Sequence, residues 1–272
     1  MTYERMAQPA LEYYPCTYGT SKTLFRGPKK DRREPYVAVI GGSETYGRYV
    51  ERPFSELLED KIGLPCVNFG LMNAGVDVFA ADATVLDLAS EADMTIVQVL
   101  PAHNMSNRFY HVHPRRNDRF LKPSALMQNL FQDVDFSEFH FTRHMLVTLK
   151  ACSPDKFRMI EQELSAAWTA RMRLLLTRIT GRKMLLWLPD ETPPAHGAEL
   201  GPEPLFVSER MVDDLRPLVE SVLRYDPAQT RANAGINGMK VPEMEVPVAQ
   251  QLLPPACHAE IAEKLARVAA FA

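Results

Sequence analysis

Short apolar runs alternate with longer helical patterns along most of the chain. Four runs rich in β-prone residues predict strands buried on both faces, because such strands are apolar at nearly every position. These runs lie at 36–40, 65–69, 95–100 and 183–188. Helical patterns lie at 53–62, 79–90, 155–180 and 256–271. Strand and helix in repeated alternation predict a three-layer α/β/α fold with a mainly parallel sheet.

Two segments depart from this alternation. Residues 1–34 are rich in Tyr, Lys, Arg and Pro without sustained periodicity, so we expect an arm packed on the core, with residues 35–272 forming a single domain. Residues 103–153 follow the third strand and contain five of the seven histidines. A long polar insertion at this point predicts a lid over the sheet edge, and the alternative is a solvated surface hairpin.

Composition narrows the classes of function. The chain has 272 residues, of which 46% are hydrophobic, which is enough for one large core. Its net charge of −3 provides no overall field that would attract nucleic acid or an anionic membrane. The N-terminus carries no apolar signal core, so we expect a cytoplasmic protein. The four cysteines form no Cys-x-x-Cys pair, which predicts free thiols, and we expect no cofactor.

The strand at 36–40 leads directly into Gly41, Gly42 and Ser43, and a further glycine follows at Gly47. Glycines allow the backbone to turn sharply at the carboxyl end of a strand, which is where open α/β sheets hold their ligands. The pattern therefore makes Ser43 a candidate nucleophile on the loop that enters the next helix. The alternative is a glycine-rich turn with an incidental serine.

Four blocks, in chain order, resemble those of the SGNH (GDSL-like) hydrolases. They are residues 42–47, residues 67–75, Asn104 after the third strand, and His258 at the start of the last helix. The resemblance covers roughly residues 35–271 and implies a flavodoxin-like sheet. It also implies that Ser43 is the nucleophile and His258 the base. The oxyanion hole would be formed by the Ser43 N–H, an N–H of Gly70 or Gly75, and the Asn104 side chain.

The chain departs from the family at three positions. Gly42 replaces the aspartate of the Gly-Asp-Ser block, Ala102 replaces a glycine before Asn104, and Pro255 stands where the family carries its triad acid. Several side chains could orient the imidazole of His258 instead: Asp190, Glu243, Glu245 and Gln250. A backbone carbonyl is another possibility, which would leave a Ser43–His258 dyad. Such a dyad can still catalyse acyl transfer, although loss of the acid costs on the order of 10⁴-fold.

The insertion carries a cluster of basic residues that we expect to bind substrate: Arg108, Arg115, Arg116 and Arg119. Guanidinium groups pair with carboxylate, sulfate or phosphate, so the cluster favours an anionic, acidic saccharide-like ligand. The alternative is a solvated basic surface. Histidines at His111-x-His113 and at His140-x-x-x-His144 have spacings that could hold a metal, but the interleaved arginines would repel a cation.

The resemblance thus predicts a hydrolase or acyltransferase that acts on a small-molecule or saccharide ester. A catalytically silent binding domain of the same fold is one alternative, since the triad acid is missing. A transferase that handles an anion or nucleotide is another. The transferase alternative is based on residues 19–23 (Gly-Thr-Ser-Lys-Thr), which are similar to the phosphosulfate-binding loop of sulfotransferases. The acyl group, its acceptor and the oligomeric state are left open.

Overall fold

A computed structural model describes residues 11–33, 35–190 and 200–268. Five strands form a parallel sheet: β1 (Val37–Gly41), β2 (Cys66–Gly70), β3 (Met94–Gln98), β6 (Lys183–Trp187) and β7 (Ser221–Arg224). Their spatial order is β2-β1-β3-β6-β7. A separate antiparallel hairpin is formed by β4 (Tyr110–His113) and β5 (Arg116–Pro123). The predicted α/β fold with a mainly parallel sheet is confirmed.

The α-helices in the described residues run along the chain as α1 (Ser43–Tyr46), α2 (Phe54–Ile62), α3 (Val76–Ala80), α4 (Ala83–Glu91), α5 (Ala125–Leu130), α6 (Thr142–Cys152), α7 (Pro154–Arg178), α8 (Glu209–Asp213), α9 (Ala228–Ala234), α10 (Val246–Ala249) and α11 (Pro255–Val268). The four predicted strands lie within two residues of β1, β2, β3 and β6. The predicted last helix corresponds to α11, and residues 269–272 lie outside the described residues.

Two predicted boundaries differ from the structure. The helix expected at 79–90 is divided into α3 and α4, because Asp82 interrupts it and its side chain accepts a hydrogen bond from the Val85 N–H. Aspartate favours such an N-cap over a helix interior, since its carboxylate satisfies an otherwise unpaired backbone donor. The edge strand β7 was not predicted, because it is only four residues long and half-buried.

The sheet separates two apolar cores. Side chains alternate along β1, so Ala38 and Ile40 pack into one core and Val37 and Val39 into the other. The first core lies under α3, α4, α6 and α7, and includes the fully buried Trp168. The second lies under α2 and α11. Both faces of the sheet are therefore covered, as its predominantly apolar strands require.

The segment 11–33 is anchored by aromatic and polar contacts. Tyr18 and Phe25 are buried, and each ring meets Phe69 of β2, with ring centroids 5.3 Å and 5.1 Å away. The guanidinium of the buried Arg26 donates to the carbonyls of Tyr46, Gly47, Val50 and Glu51. This segment therefore fixes the chain that leaves α1.

The insertion packs its hairpin against the helix that follows β2. Asn117 of β5 is buried, and its side-chain oxygen accepts from the N–H groups of Gly75 and Val78. The hairpin is thereby attached to the carboxyl edge of the parallel sheet.

None of the helices in the described ranges has both the length and the apolar character needed to cross a bilayer.

Candidate functional site

Ser43 lies where the sequence predicts it, at the first position of α1 directly after β1. The turn is held from β3 by Gln98, whose side-chain oxygen accepts from the Gly42 N–H at 2.9 Å and from the Thr45 hydroxyl at 2.7 Å. Ser43 is 8% exposed. Its hydroxyl therefore has a fixed position at the carboxyl edge of the sheet.

The immediate partner of the Ser43 hydroxyl is Asn73. The Asn73 N–H donates to Ser43 Oγ at 3.0 Å, and Ser43 Oγ donates to Asn73 Oδ1 at 3.3 Å. Asn73 has φ = 54°, a left-handed conformation that asparagine tolerates better than most residues. Its Nδ2 also donates to Asp118 of the hairpin at 3.4 Å. A continuous polar network thus links Ser43 to the insertion.

Asn104 joins the same network. Its Nδ2 donates to the Asn73 carbonyl at 3.0 Å, and its Oδ1 accepts from the Thr142 hydroxyl at 2.9 Å. Gly75 makes this packing possible, because a Cβ there would lie 1.5 Å from the Asn104 carbonyl oxygen. The structure therefore brings Ser43 and Asn104 together through Asn73, whose role the sequence did not reveal.

The glycine N–H groups expected to form the oxyanion hole have partners. The Gly70 N–H donates to Asn68 Oδ1 at 2.8 Å, and the Gly75 N–H donates to Asn117 Oδ1 at 3.1 Å. Each of these two N–H groups therefore donates to the side-chain oxygen of an asparagine. The partner of the Gly75 N–H could not be predicted from the local sequence, because Asn117 comes from the distant hairpin.

His258 occupies a different environment from the one predicted. It lies in α11 with 1% exposure, its Nδ1 accepts from the Phe54 N–H at 3.0 Å, and its ring stacks on the Phe54 ring. Burial, and then the nearby Arg26 charge, lower its pKa to about 3. Among the hydrogen bonds of the described residues, none joins His258 to Ser43. The imidazole is therefore neutral, and it accepts a hydrogen bond from the first N–H of α2.

The candidate acids also have other partners. Asp190 forms an ion pair with Arg231, and Glu245 accepts from Arg48 and Tyr49. Glu243 and Gln250 are exposed. Within the described ranges, none of these four side chains forms a hydrogen bond to His258.

The four predicted substrate-binding arginines are dispersed. Arg108 donates to Glu163 at 2.6 Å, and the Arg119 guanidinium lies over the Phe141 ring. Arg115 is exposed. Arg116 lies 3.9 Å from the Asp118 carboxylate and is therefore the one of these four that reaches the Ser43 network.

Glu44, which sequence reasoning missed, also lies beside this network. Its carboxylate accepts from Gln98 Nε2 at 2.7 Å, and burial raises its pKa. The signal that could have found it is Gln98 itself, a polar residue that ends an otherwise apolar strand. Gln98 thus links the Ser43 turn to a titratable neighbour.

The segment 19–23 is held by hydrogen bonds within the protein. In the segment 19–23, the Ser21 hydroxyl donates to Asp82 and the Thr20 hydroxyl pairs with that of Thr84. These residues therefore anchor the arm to the start of α4. Across the described residues, no group of three His, Cys, Asp or Glu side chains is arranged to hold a metal ion.

The fold and site define an α/β protein with a five-stranded parallel sheet and a buried serine at the end of its first strand. Over residues 1–271 the chain matches the family described as Domain of unknown function (DUF6473). The chain therefore belongs to that family. No curated protein matches it.

Solved structures give distant similarities. One is a protein assigned to the G-D-S-L lipolytic family from Desulfitobacterium hafniense DCB-2, with TM-score 0.41, 13% identity, and 87% of this chain and 100% of that one covered. Another, from Lactobacillus plantarum, has TM-score 0.43, 12% identity, and coverages of 85% and 94%. A gut microbial diltiazem-metabolizing enzyme has TM-score 0.38, 10% identity, and coverages of 87% and 48%.

Proposed function

We propose that this protein is a binding domain with an SGNH-like fold that holds a small polar ligand at the Ser43 site without Ser–His catalysis. The observation that carries the proposal is the placement of His258. A serine hydroxyl attacks an acyl carbonyl only when a base takes its proton. His258 is bonded to Phe54, and Ser43 donates instead to the amide oxygen of Asn73, which is too weak a base at neutral pH.

The groups around Ser43 favour a hydroxylated ligand. The site combines a hydroxyl, the amides of Asn73 and Asn104, the carboxylate of Asp118 and, at its rim, the guanidinium of Arg116. Such groups donate to and accept from sugar-like hydroxyls in fixed directions. An acidic saccharide would in addition offer Arg116 a charged partner.

The proposal is tested with a serine-reactive fluorophosphonate probe and intact-protein mass spectrometry. We expect no labelling of the wild-type protein above that of the Ser43→Ala variant, while a known serine hydrolase treated in parallel is labelled fully. Labelling of the wild type that is lost in Ser43→Ala would overturn the proposal, because it would show an activated hydroxyl.

Ester hydrolysis or acyl transfer is the second candidate function. It is favoured by one observation, the position of Ser43 at the start of α1 directly beyond β1, where α/β sheets present reactive groups. This function would need a base other than His258 in its present position. Hydrolysis of a neutral test ester that disappears in Ser43→Ala, and persists in Ser21→Ala as a control, would establish it.

A further inference from the structure

One side chain of β3 holds the turn that carries Ser43. Gln98 is 4% exposed, and its Oε1 accepts from the Gly42 N–H at 2.9 Å and from the Thr45 hydroxyl at 2.7 Å. Its Nε2 donates to Glu44 Oε2 at 2.7 Å. Gln98 therefore bonds to residues on both sides of Ser43.

The amide of Gln98 has one orientation that satisfies all of these neighbours. If it were turned over, Nε2 would face the Gly42 N–H, which is also a donor. Its Oε1 would then face the Glu44 carboxylate, which is only an acceptor when ionised. A hydrogen bond to an ionised acceptor is roughly twice as strong as one between neutral groups. The ionised Glu44 thus strongly favours the observed orientation.

The Glu44 carboxylate lies against the backbone of this turn. A Cβ at Gly42 would be 3.1 Å from Glu44 Oε2 and 3.4 Å from Leu100 Cδ2. The missing side chain at Gly42 therefore leaves room for the carboxylate, and the apolar Leu100 borders the same space. A carboxylate held beside apolar groups depends on its hydrogen bonds to stay ionised.

The ionisation of Glu44 is shifted by its surroundings. Burial raises the pKa of Glu44, and the hydrogen bond from Gln98 acts against this shift. In the described part of the chain, the charged side chain that acts on Glu44 is Glu203, from the loop before α8, and its like charge raises the pKa further. Glu203 itself pairs with Arg143 of α6. Protonation of Glu44 therefore begins at a higher pH than that of an exposed glutamate.

We propose that Glu44 is a positioning residue for Ser43: its ionised carboxylate, acting through Gln98, holds the turn of residues 42–45, and protonation of Glu44 loosens that turn. Protonation replaces the charge-assisted bond from Gln98 by a weaker neutral one, so the bonds of Gln98 to Gly42 and Thr45 open more often. The affinity of the Ser43 site for its ligand then falls. This last consequence rests on the proposed function, whereas the coupling of Glu44 to the turn goes beyond it and holds for any role of Ser43.

The test follows the free protein, labelled with ¹⁵N and ¹³C, by NMR between pH 8 and pH 4. The Glu44 carboxyl carbon gives the midpoint of its titration. Hydrogen exchange gives the protection of the Gly42 N–H relative to that of the Val39 N–H in β1. We expect this protection ratio to fall several-fold as the pH is lowered through the midpoint of Glu44. A ratio that stays constant while Glu44 titrates would overturn the proposal without the use of any variant.

Three variants trace the coupling from residue to residue. Glu44→Gln keeps a neutral acceptor of similar shape, so we expect a low protection ratio at every pH. Gln98→Met removes the link, so the ratio should no longer depend on pH although Glu44 still titrates. Glu203→Gln should lower the midpoint of Glu44, because it removes the like charge.

Glu56→Gln is the matched control, since burial also raises the pKa of Glu56, but this residue lies on α2 beside Arg26. It should leave the midpoint of Glu44 and the protection ratio unchanged. Equal effects of Glu44→Gln and Glu56→Gln would overturn the proposal, because they would show a general response to a lost charge. The fluorophosphonate labelling does not depend on this titration, so a failure of the coupling and a failure of the proposed function are distinguishable.

Discussion

At the scale of single residues, the contacts of the His258 imidazole decide what the Ser43 hydroxyl can do: the Nδ1 of His258 accepts the Phe54 N–H, and Ser43 bonds to Asn73. Ser43 follows an apolar strand and a glycine pair, and its position could be predicted because this pattern depends only on neighbouring residues in the chain. The orientation of His258 depends instead on which distant group meets its ring. The sequence of residues 254–262 is equally compatible with an imidazole that faces Ser43 and with one that faces the Phe54 N–H. The contact with Phe54 is set by the packing of α11 on α2, which the local sequence does not encode.

Gly75 tests the close packing at this scale. Gly75→Ala would bring a Cβ against the Asn104 backbone at 1.5 Å, so Asn104 must move and its bond to Asn73 is lost. We expect a loss of about 3 kcal/mol in the free energy of unfolding or more, measured by urea denaturation.

The control is Gly63→Ala, where φ is +70° and a Cβ would meet no atom within 4 Å. Gly63→Ala should lower the free energy of unfolding by only about 1 kcal/mol, because the left-handed backbone conformation is strained for alanine. Equal losses in the two variants would show that the contact between Gly75 and Asn104 is looser than the structure indicates.

At the scale of elements, periodicity predicted the strands and helices that are long and regular. The strands β1, β2, β3 and β6 are apolar at most positions. The helix α7 is a long helical pattern, and in the structure Ser153 is its N-cap and Pro154 lies in its first turn. The shorter elements could not be read in this way. β7 spans four residues and α8 five, too few for a period to emerge.

The clamp made by Arg26 is an element-scale feature, since one guanidinium holds the whole segment between α1 and α2. We expect Arg26→Met to lower the free energy of unfolding by about 3 kcal/mol or more, because four backbone carbonyls lose a charged donor. Thermal and urea denaturation provide the measurement.

Arg33→Met is the matched control, because the Arg33 side chain is 87% exposed and, within the described part of the chain, pairs with Asp31, two residues away. Its effect on the free energy of unfolding should be negligible beside that of Arg26→Met. A comparable loss in both variants would mean that Arg26 acts through general charge and not through the carbonyls.

At the scale of the whole molecule, the sequence predicted a sheet covered on both faces, and the structure has one core on each side of it. The insertion was predicted only as a departure from the pattern. Its docking depends on Asn117 and Asp118, which are polar and give no hydrophobic signal although both are buried. The single-domain organisation, the cytoplasmic location and the absence of nucleic-acid and membrane partners stay predictions.

Acid stability is a whole-molecule property to which the buried histidines contribute. The pKa of His258 is lowered to about 3 in the folded protein, against about 6.5 in the unfolded chain. The unfolded state therefore binds more protons between these values, and stability falls as the pH is lowered through this window by up to about 1.4 kcal/mol per pH unit. The pKa of His103 is lowered too, so it acts in the same direction.

His258→Gln isolates this contribution, because glutamine can still accept from the Phe54 N–H but does not titrate. Between pH 6.5 and 4.5 we expect the wild type to lose about 2–3 kcal/mol more stability than the variant, measured by urea denaturation at each pH. Parallel losses across that range would show that the His258 pKa is not lowered.

NMR of the His258 imidazole nitrogens from pH 8 to pH 4.5 shows whether this ring stabilises the fold or acts on Ser43. We expect a neutral ring with the proton on Nε2 over the whole range, because its pKa is lowered to about 3, and signals that do not change in Ser43→Ala. A ring that titrates near pH 6.5 and whose signals shift when Ser43 is replaced would instead establish a Ser43–His258 pair.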